Sequence, residues 1–184
     1  MRRHHHGARG GVKQGWANEA MIAKRMAPCL MVLLASIGAA DAFYDSYMIY
    51  TGQLLWCPPP IDGCNIVAES PHAQVLDVPL GYFGFVYYIY MFALAALLAA
   101  DPLSRGLRWG ALLYAATGVS FSVYFMYVQV TFIHAFCIYC LVSAVLTVLL
   151  FVAALSHLRA TRKRASEISR AAGQGASMGL SVAG

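Results

Sequence analysis

Four apolar stretches, at about residues 26–50, 82–100, 109–132 and 137–157, constrain this chain more than any other feature. The last contains LVSAVLTVLLFVAAL, with no charged residue and no Gly or Pro. Each stretch supplies the ~20 residues that cross ~30 Å of hydrocarbon as a helix. Lipid offers the backbone no hydrogen-bond partners, so spanning segments must be helices or closed barrels. None of the four alternates in the manner of barrel strands. Composition agrees: 11% of residues are charged, against about 25% in ordinary soluble domains. The fold class expected is therefore an all-α integral membrane protein, a four-transmembrane-helix bundle.

The basic residues set the orientation. Arg2, Arg3, Arg9, Lys13, Lys24 and Arg25 precede the first span, and Arg105 and Arg108 lie between the second and third. Arg159, Arg162, Lys163, Arg164 and Arg170 follow the fourth, while the 51–81 loop and the 133–136 connection contain none. The excess of Lys and Arg on one side puts both termini and the middle connection in the cytoplasm. The 51–81 loop then faces the opposite compartment, which for a bacterial inner membrane is the oxidising periplasm. The net charge of +5 reads as a topology signal and gives no support for nucleic-acid binding. Three regions follow: a cytoplasmic tail over 1–25, a membrane domain over 26–158, and a basic, disordered cytoplasmic tail over 159–184. The run His4, His5 and His6 receives no role. One alternative concerns the first span, whose basic start and AADAF segment also fit a secretory signal cleaved after Ala42, leaving three helices.

The 51–81 loop reads TGQLLWCPPPIDGCNIVAESPHAQVLDVPLG. Its PPP and DG give a stiff, turn-rich start, and CNIVAES is expected to form a short helix stopped before Pro71. The apolar VLDVPLGYFG is expected to lie on the bilayer surface. A connection of this length between membrane helices is long enough to be functional. Asp41 and Asp45, four apart, share a helix face in the first span. Both fall close to the outer interface, so a helix end emerging into water is favoured over a proton relay.

Five cysteines form three groups: Cys29, the loop pair Cys57 and Cys64, and the helix pair Cys137 and Cys140. At i and i+3 near a helix N-terminus, the last two can reach disulfide geometry. Free N–H groups and the helix dipole there favour a thiolate on Cys137, which makes its sulfur both a good leaving group and open to attack. Plain packing explains such a pair poorly. A metal site is not assigned, because six residues between Cys57 and Cys64 exceed the usual zinc spacing. Two dithiols on one side suggest a relay of two electrons by successive thiol–disulfide exchange. With no flavin, haem or nucleotide motif in the chain, the terminal acceptor expected is a lipid-soluble quinone between the helices. Cys29 reads as a packed apolar thiol. His134, three residues before Cys137, reads as an interfacial residue ahead of a tuner of the thiolate. The run YFGFVYYIYMF reads as interface packing, with an inward face able to line a quinone pocket beside Phe121, Tyr124 and Phe125.

The pattern C-x6-C-N-x-V-x-x-S-P, a G-x-F-G opening the next helix, and F-C-I-x-C starting the last resemble the vitamin K epoxide reductase family. The resemblance covers about residues 26–157. The DsbB-type quinone oxidoreductases share the four-helix layout but carry their C-x-x-C first. The resemblance implies a bundle around a quinone, ubiquinone or menaquinone, with the 51–81 loop capping its mouth. It further implies that Cys57 meets the thiol partner, that Cys64 exchanges with Cys137, and that Cys140 faces the quinone. Ser70 corresponds to the hydroxyl that hydrogen-bonds near the quinone oxygen, and the implied quinone site takes in Ser70, Cys140, Phe83, Leu80, Phe121 and Ala144.

Animal members have an Asn just before the Phe-Gly of the second helix and a Tyr four residues after the last cysteine; Leu80 and Ala144 stand here. That departure disfavours epoxide reduction. The function expected is a thiol:quinone oxidoreductase that oxidises a separate periplasmic, DsbA-like thioredoxin-fold protein and so supports disulfide formation. The alternatives are a vitamin K epoxide or quinone reductase, and a non-catalytic membrane protein with structural disulfides. The orientation has a direct test. In reduced, intact cells a membrane-impermeant thiol reagent should label Cys57 and leave Cys29 unlabelled; labelling of Cys29 would overturn it.

Overall fold

The structure, a computed structural model, describes residues 8–59 and 63–180, with side chains over 26–59, 63–162 and 166. Arg2, Arg3, the histidines at 4–6, residues 60–62 of the turn-rich loop start and residues 181–184 of the tail lie outside the described residues. Among the described residues, four helices are long and apolar enough to cross a membrane, over Met26–Thr51, Leu80–Ala100, Arg105–Ile133 and Ile138–Arg162. They belong to α1 (Ala8–Thr51), α3 (Leu80–Ala100), α4 (Arg105–Val128, prolonged by a π-helical turn over Gln129–Ile133) and α5 (Ile138–Leu180). The short α2 (Cys64–Glu69) lies in the loop, as expected from CNIVAES. The four spans close into a ring in which α1 packs on α3 and α5, and α4 packs on α5 and α3. The protein is thus an all-α multi-pass membrane bundle.

Two regions differ from the sequence expectation. The tail read as disordered from residue 159 carries helical backbone as far as Leu180, and α1 begins at Ala8 inside the 1–25 tail. The segments WANEAMIAKR and RATRKRASEISRAA are rich in Ala, Lys, Arg, Met and Glu, which propagate a helix well. The costly nucleus is already formed in the adjoining span, so no apolar stripe is needed to continue it. Within the loop, residues 74–79 form a hairpin of two-residue strands, β1 (Gln74–Val75) and β2 (Val78–Pro79), around Leu76 and Asp77 at positive φ. Strands this short leave no alternation to read.

The core follows the helical period. Met31, Leu34, Ala35 and Ala42 of α1 meet Tyr88, Met91, Ala95 and Leu98 of α3, Ala111, Leu112 and Ala115 of α4, and Leu146, Leu150, Ala153, Ala154 and Leu158 of α5. Large apolar residues such as Leu33, Ile37, Leu113 and Val152 point outward instead. Lipid is as apolar as a core, so association rests on close packing and interhelical hydrogen bonds, which favours small residues at contacts. Gly38 receives the ring of Tyr88, and Gly118 receives that of Tyr87; a Cβ at either position would overlap the ring. The Tyr88 hydroxyl bonds Ser143, 3.0 Å to its carbonyl and 2.8 Å to Oγ, tying α3 to α5. Ser122 Oγ and Thr147 Oγ1, 3.0 Å apart, tie α4 to α5. Ala42, where signal cleavage was the alternative, is buried within this core and α1 runs unbroken past it.

At its loop end α1 stops on Gly52, φ 67°. The N–H of Gln53 donates to Met48 O at 3.0 Å and that of Gly52 to Ile49 O at 3.2 Å, the paired bonds of a glycine-terminated helix. This sharp stop turns the chain back over the bundle mouth. The glycine–ring contacts yield a stability test. Gly38→Val should cost about 1–3 kcal/mol by overpacking, read as a lowered melting temperature in detergent. Gly110→Ala, where an added Cβ meets nothing within 4 Å, should be neutral or slightly stabilising.

Candidate active site

The last helix is started by a chain reversal. The π-helical turn at Gln129–Ile133 ends on His134, whose left-handed φ of 54° redirects the backbone toward α5. His134 is exposed and serves as this turn's terminus; no hydrogen bond joins it to Cys137 among the described residues. Cys137 then precedes the first residue of α5, and its carbonyl accepts the Leu141 N–H at 3.1 Å. Its own N–H is taken by Gln129 Oε1 at 3.1 Å. The Cys137 thiol is 2% exposed. Its pKa is lowered, chiefly by a hydrogen bond from the Cys140 thiol and further by the backbone N–H groups of Cys140 and Tyr139; burial and the Asp45 charge oppose this. The unpaired N–H groups of a helix start are the source of such stabilisation.

The loop is fastened over this start. Cys57 and Cys64 are disulfide-bonded, with Cα atoms 6.1 Å apart. Asn65 clamps the segment leading to Cys57: its Oδ1 accepts the Leu55 N–H at 2.8 Å, and its Nδ2 donates to Leu55 O at 3.2 Å. The Tyr139 hydroxyl, between the two helix cysteines, donates to Trp56 O at 2.7 Å. Gly63 makes the approach possible, since a Cβ there would lie 2.8 Å from Ala135 Cβ and 2.8 Å from Phe136 O. Leu55, Cys64, Val67 and Cys137 consequently form one buried cluster, with Cys57, Tyr139 and Cys140 packed against it. Burial is graded. Trp56 beside Cys57 is 71% exposed, Cys57 is half-buried, and Cys64 is sealed.

Beneath the loop lies a cavity of about 320 Å³ between the helices, toward the small end of the ~300–1,000 Å³ typical of ligand pockets. Of the residues expected around a quinone, Cys140, Leu80, Phe83 and Phe121 line it, as do Cys64, Cys137 and Phe125. Ser70 and Ala144 are not on its wall, and Tyr124 is exposed elsewhere on α4. The Ser70 hydroxyl is nevertheless buried without a hydrogen-bond partner, as is the Tyr87 hydroxyl on the wall. The Tyr87 hydroxyl is thus a spare donor in an otherwise largely apolar space. Asp41 and Asp45 also line the cavity. This corrects the expectation that they mark a helix end emerging into water. Because α1 continues to Thr51 under the loop, their shared face points between the helices. Among the described residues, no Lys, Arg or His lies on the wall.

Four contributors escaped the sequence reading: Gln129, Asn65, Gly63 and Tyr139. Asn65 stood inside the C-N-x-V motif, and Gln129 is a carboxamide within the apolar run FMYVQVTF. A polar group at that depth is itself a signal. Gly63 and Tyr139 carry none, because their partners are distant in sequence.

Comparison with known proteins fits this geometry. The vitamin K epoxide reductase family model matches residues 29–155, which include all four clustered cysteines. The thiol-disulfide oxidoreductase LTO1 of Arabidopsis thaliana is 37% identical over 117 residues, covering 60% of this chain and 31% of that protein. The chain thus spans about a third of the length of this curated relative.

The Cys137 environment sets a pH expectation. A lowered pKa means that thiolate, the reactive form, appears at lower pH than for an ordinary cysteine. Alkylation of reduced Cys137, followed against pH by mass spectrometry, should have its midpoint below that of a free thiol. Cys140→Ala, which removes the thiol hydrogen bond that chiefly lowers the Cys137 pKa, should move that midpoint upward. An unmoved midpoint would show that the helix start alone sets it.

Proposed function

The chain belongs to the vitamin K epoxide reductase family, and from that premise we propose that it is a membrane thiol:quinone oxidoreductase of a bacterial inner membrane. Its termini face the cytoplasm and its loop the periplasm, where it oxidises a DsbA-like thioredoxin-fold protein. The observation that carries this reading is the single buried cluster joining both cysteine pairs, graded from half-buried Cys57 to Cys140 on the cavity wall.

The steps follow from that gradation. The partner's thiolate attacks Cys57, and its second thiol resolves the mixed disulfide, leaving Cys57 and Cys64 reduced. Cys64 then attacks Cys137 Sγ; a Cys64–Cys137 bond forms, the Cys137–Cys140 bond breaks, and Cys140 leaves as thiolate. Cys57 attacks Cys64 and frees Cys137, restoring the Cys57–Cys64 disulfide above two thiols. A bonded Cys57–Cys64 pair beside free Cys137 and Cys140 is the arrangement expected at that point.

A quinone, when bound, supplies an acceptor for two electrons and two protons. The residues present fit one. Phe83, Phe121 and Leu80 offer apolar walls, and the partnerless hydroxyl of Tyr87 offers a donor to a ring oxygen. Asp41 and Asp45 can hold protons within the cavity; carboxyls at such depth are costly and are kept for use. A DsbA-like oxidant has a potential of about −120 mV, which ubiquinone exceeds comfortably and menaquinone approaches. Leu80 on the wall and Ala144 off it supply no donor of the kind the animal enzymes have, so disulfide formation is favoured over epoxide reduction.

Membranes containing the protein should oxidise a reduced DsbA-like protein only when quinone is present. Cys140→Ser should stop that oxidation; Cys137 can then only attack the Cys57–Cys64 disulfide, releasing Cys57 as a thiol, and the resulting Cys64–Cys137 bond should accumulate, mapped by non-reducing proteolysis. A trapped Cys57–Cys137 bond would reverse the order of the loop cysteines. Full turnover by Cys140→Ser would end the relay.

A further inference from the structure

Gln129 is, among the described residues, the one carboxamide side chain with 0% exposure. It opens the π-helical turn that prolongs α4, a distortion found most often at functional sites. Its orientation is fixed: the Cys137 N–H can only donate, so Oε1 must face it, as it does at 3.1 Å. The amide nitrogen therefore points the other way. Nε2 is buried and has no hydrogen-bond partner, yet the side chain lies within reach of the Cys140 thiol. A buried N–H2 left unpaired is destabilising, which suggests that its partner exists in another state of the site.

Resting on the relay proposed above, one step creates such a partner. When Cys64 bonds to Cys137, the electron pair of the broken Cys137–Cys140 bond resides on Cys140 Sγ. That anion forms in a poorly hydrated place. With Cys64 and Cys137 bonded to each other, the titratable groups on the cavity wall are Asp41 and Asp45 from α1, Tyr87 and Tyr88 from α3 and Tyr139 from α5, and among the described residues none is cationic. Asp45 lies close enough to act on both helix cysteines. We propose that the Gln129 amide is the hydrogen-bond donor that stabilises the Cys140 thiolate as it leaves, held in position by the Cys137 N–H. Donors preorganised where charge develops, in a site that excludes water, are an effective form of catalytic stabilisation.

The test reads Cys140 directly and requires neither quinone nor partner, so it succeeds or fails separately from the relay. In a Cys137→Ala background, the alkylation of Cys140 by iodoacetamide is followed against pH in detergent. Gln129→Leu removes donor and acceptor; Gln129→Glu keeps an oxygen for the residue-137 N–H while removing the amide donor. Both should raise the alkylation midpoint by about one pH unit or more relative to the Gln129 parent, as expected for loss of a charged hydrogen bond. In the otherwise unaltered protein, Gln129→Glu should slow formation of the Cys64–Cys137 intermediate by about 10- to 100-fold. If Gln129→Leu melts early, Gln129→Met, which also removes the donor and adds no charge, takes its place, because a carboxylate at 129 raises the midpoint by repulsion alone. A midpoint unchanged in folded Gln129→Leu or Gln129→Met, with or without a lowered melting temperature, would reduce Gln129 to a structural prop and overturn the proposal.

Discussion

The site depends on one close approach, that of the loop backbone at Gly63 to the connection leading into α5. Where Ala135 and Phe136 leave no room for a Cβ, the loop descends far enough to put Cys64 against Cys137. The Tyr139 hydroxyl holds it there, and the Asn65 clamp fixes the loop's own fold. Raising the loop by the radius of a methyl group would separate the two pairs, and disulfide exchange has little tolerance for distance. The Gly52 stop on α1 and the reversal at His134 serve the same juxtaposition from either side.

The membrane class, the four spans and the short α2 were legible because they rest on local composition. Which face of each helix turns inward was not. In a chain this apolar, Leu33 and Leu34 are chemically alike, yet only the second is buried. The distinction comes from small residues such as Gly38, Ala95 and Gly118 and from the tyrosines they admit. Cys57, Cys64, Cys137 and Cys140 stood out by type and spacing. Ser70 and Ala144 were placed at the quinone site by resemblance, and neither reaches the cavity wall. Asp41 and Asp45 were weighed from depth alone; their direction is set by α1 continuing beneath the loop. The extension of α5 to Leu180 was hidden because a nucleated helix can continue without any apolar stripe.

The cavity is chemically lopsided. Its α1 side carries two carboxyls, its α3 and α4 sides aromatic rings, and its α5 side the thiol pair. With no basic group among the described residues of the wall, negative charge appearing there is met by neutral donors or by protons already in place. That places unusual weight on hydroxyls and amides left without partners, such as Tyr87 and Gln129, which in a soluble core would count only as a cost.

The seal over Cys64 has a kinetic consequence. Cys64 has no exposed surface, and the cover above it is held by the two Asn65 bonds and the Tyr139 bond. At about 1 kcal/mol each, these three reduce the population of a lifted loop by roughly 100-fold. Small reductants that bypass Cys57 encounter that pre-equilibrium before they encounter a sulfur. The clamp therefore works as a leak resistance: the tighter it is, the smaller the share of electrons that enters without passing through Cys57.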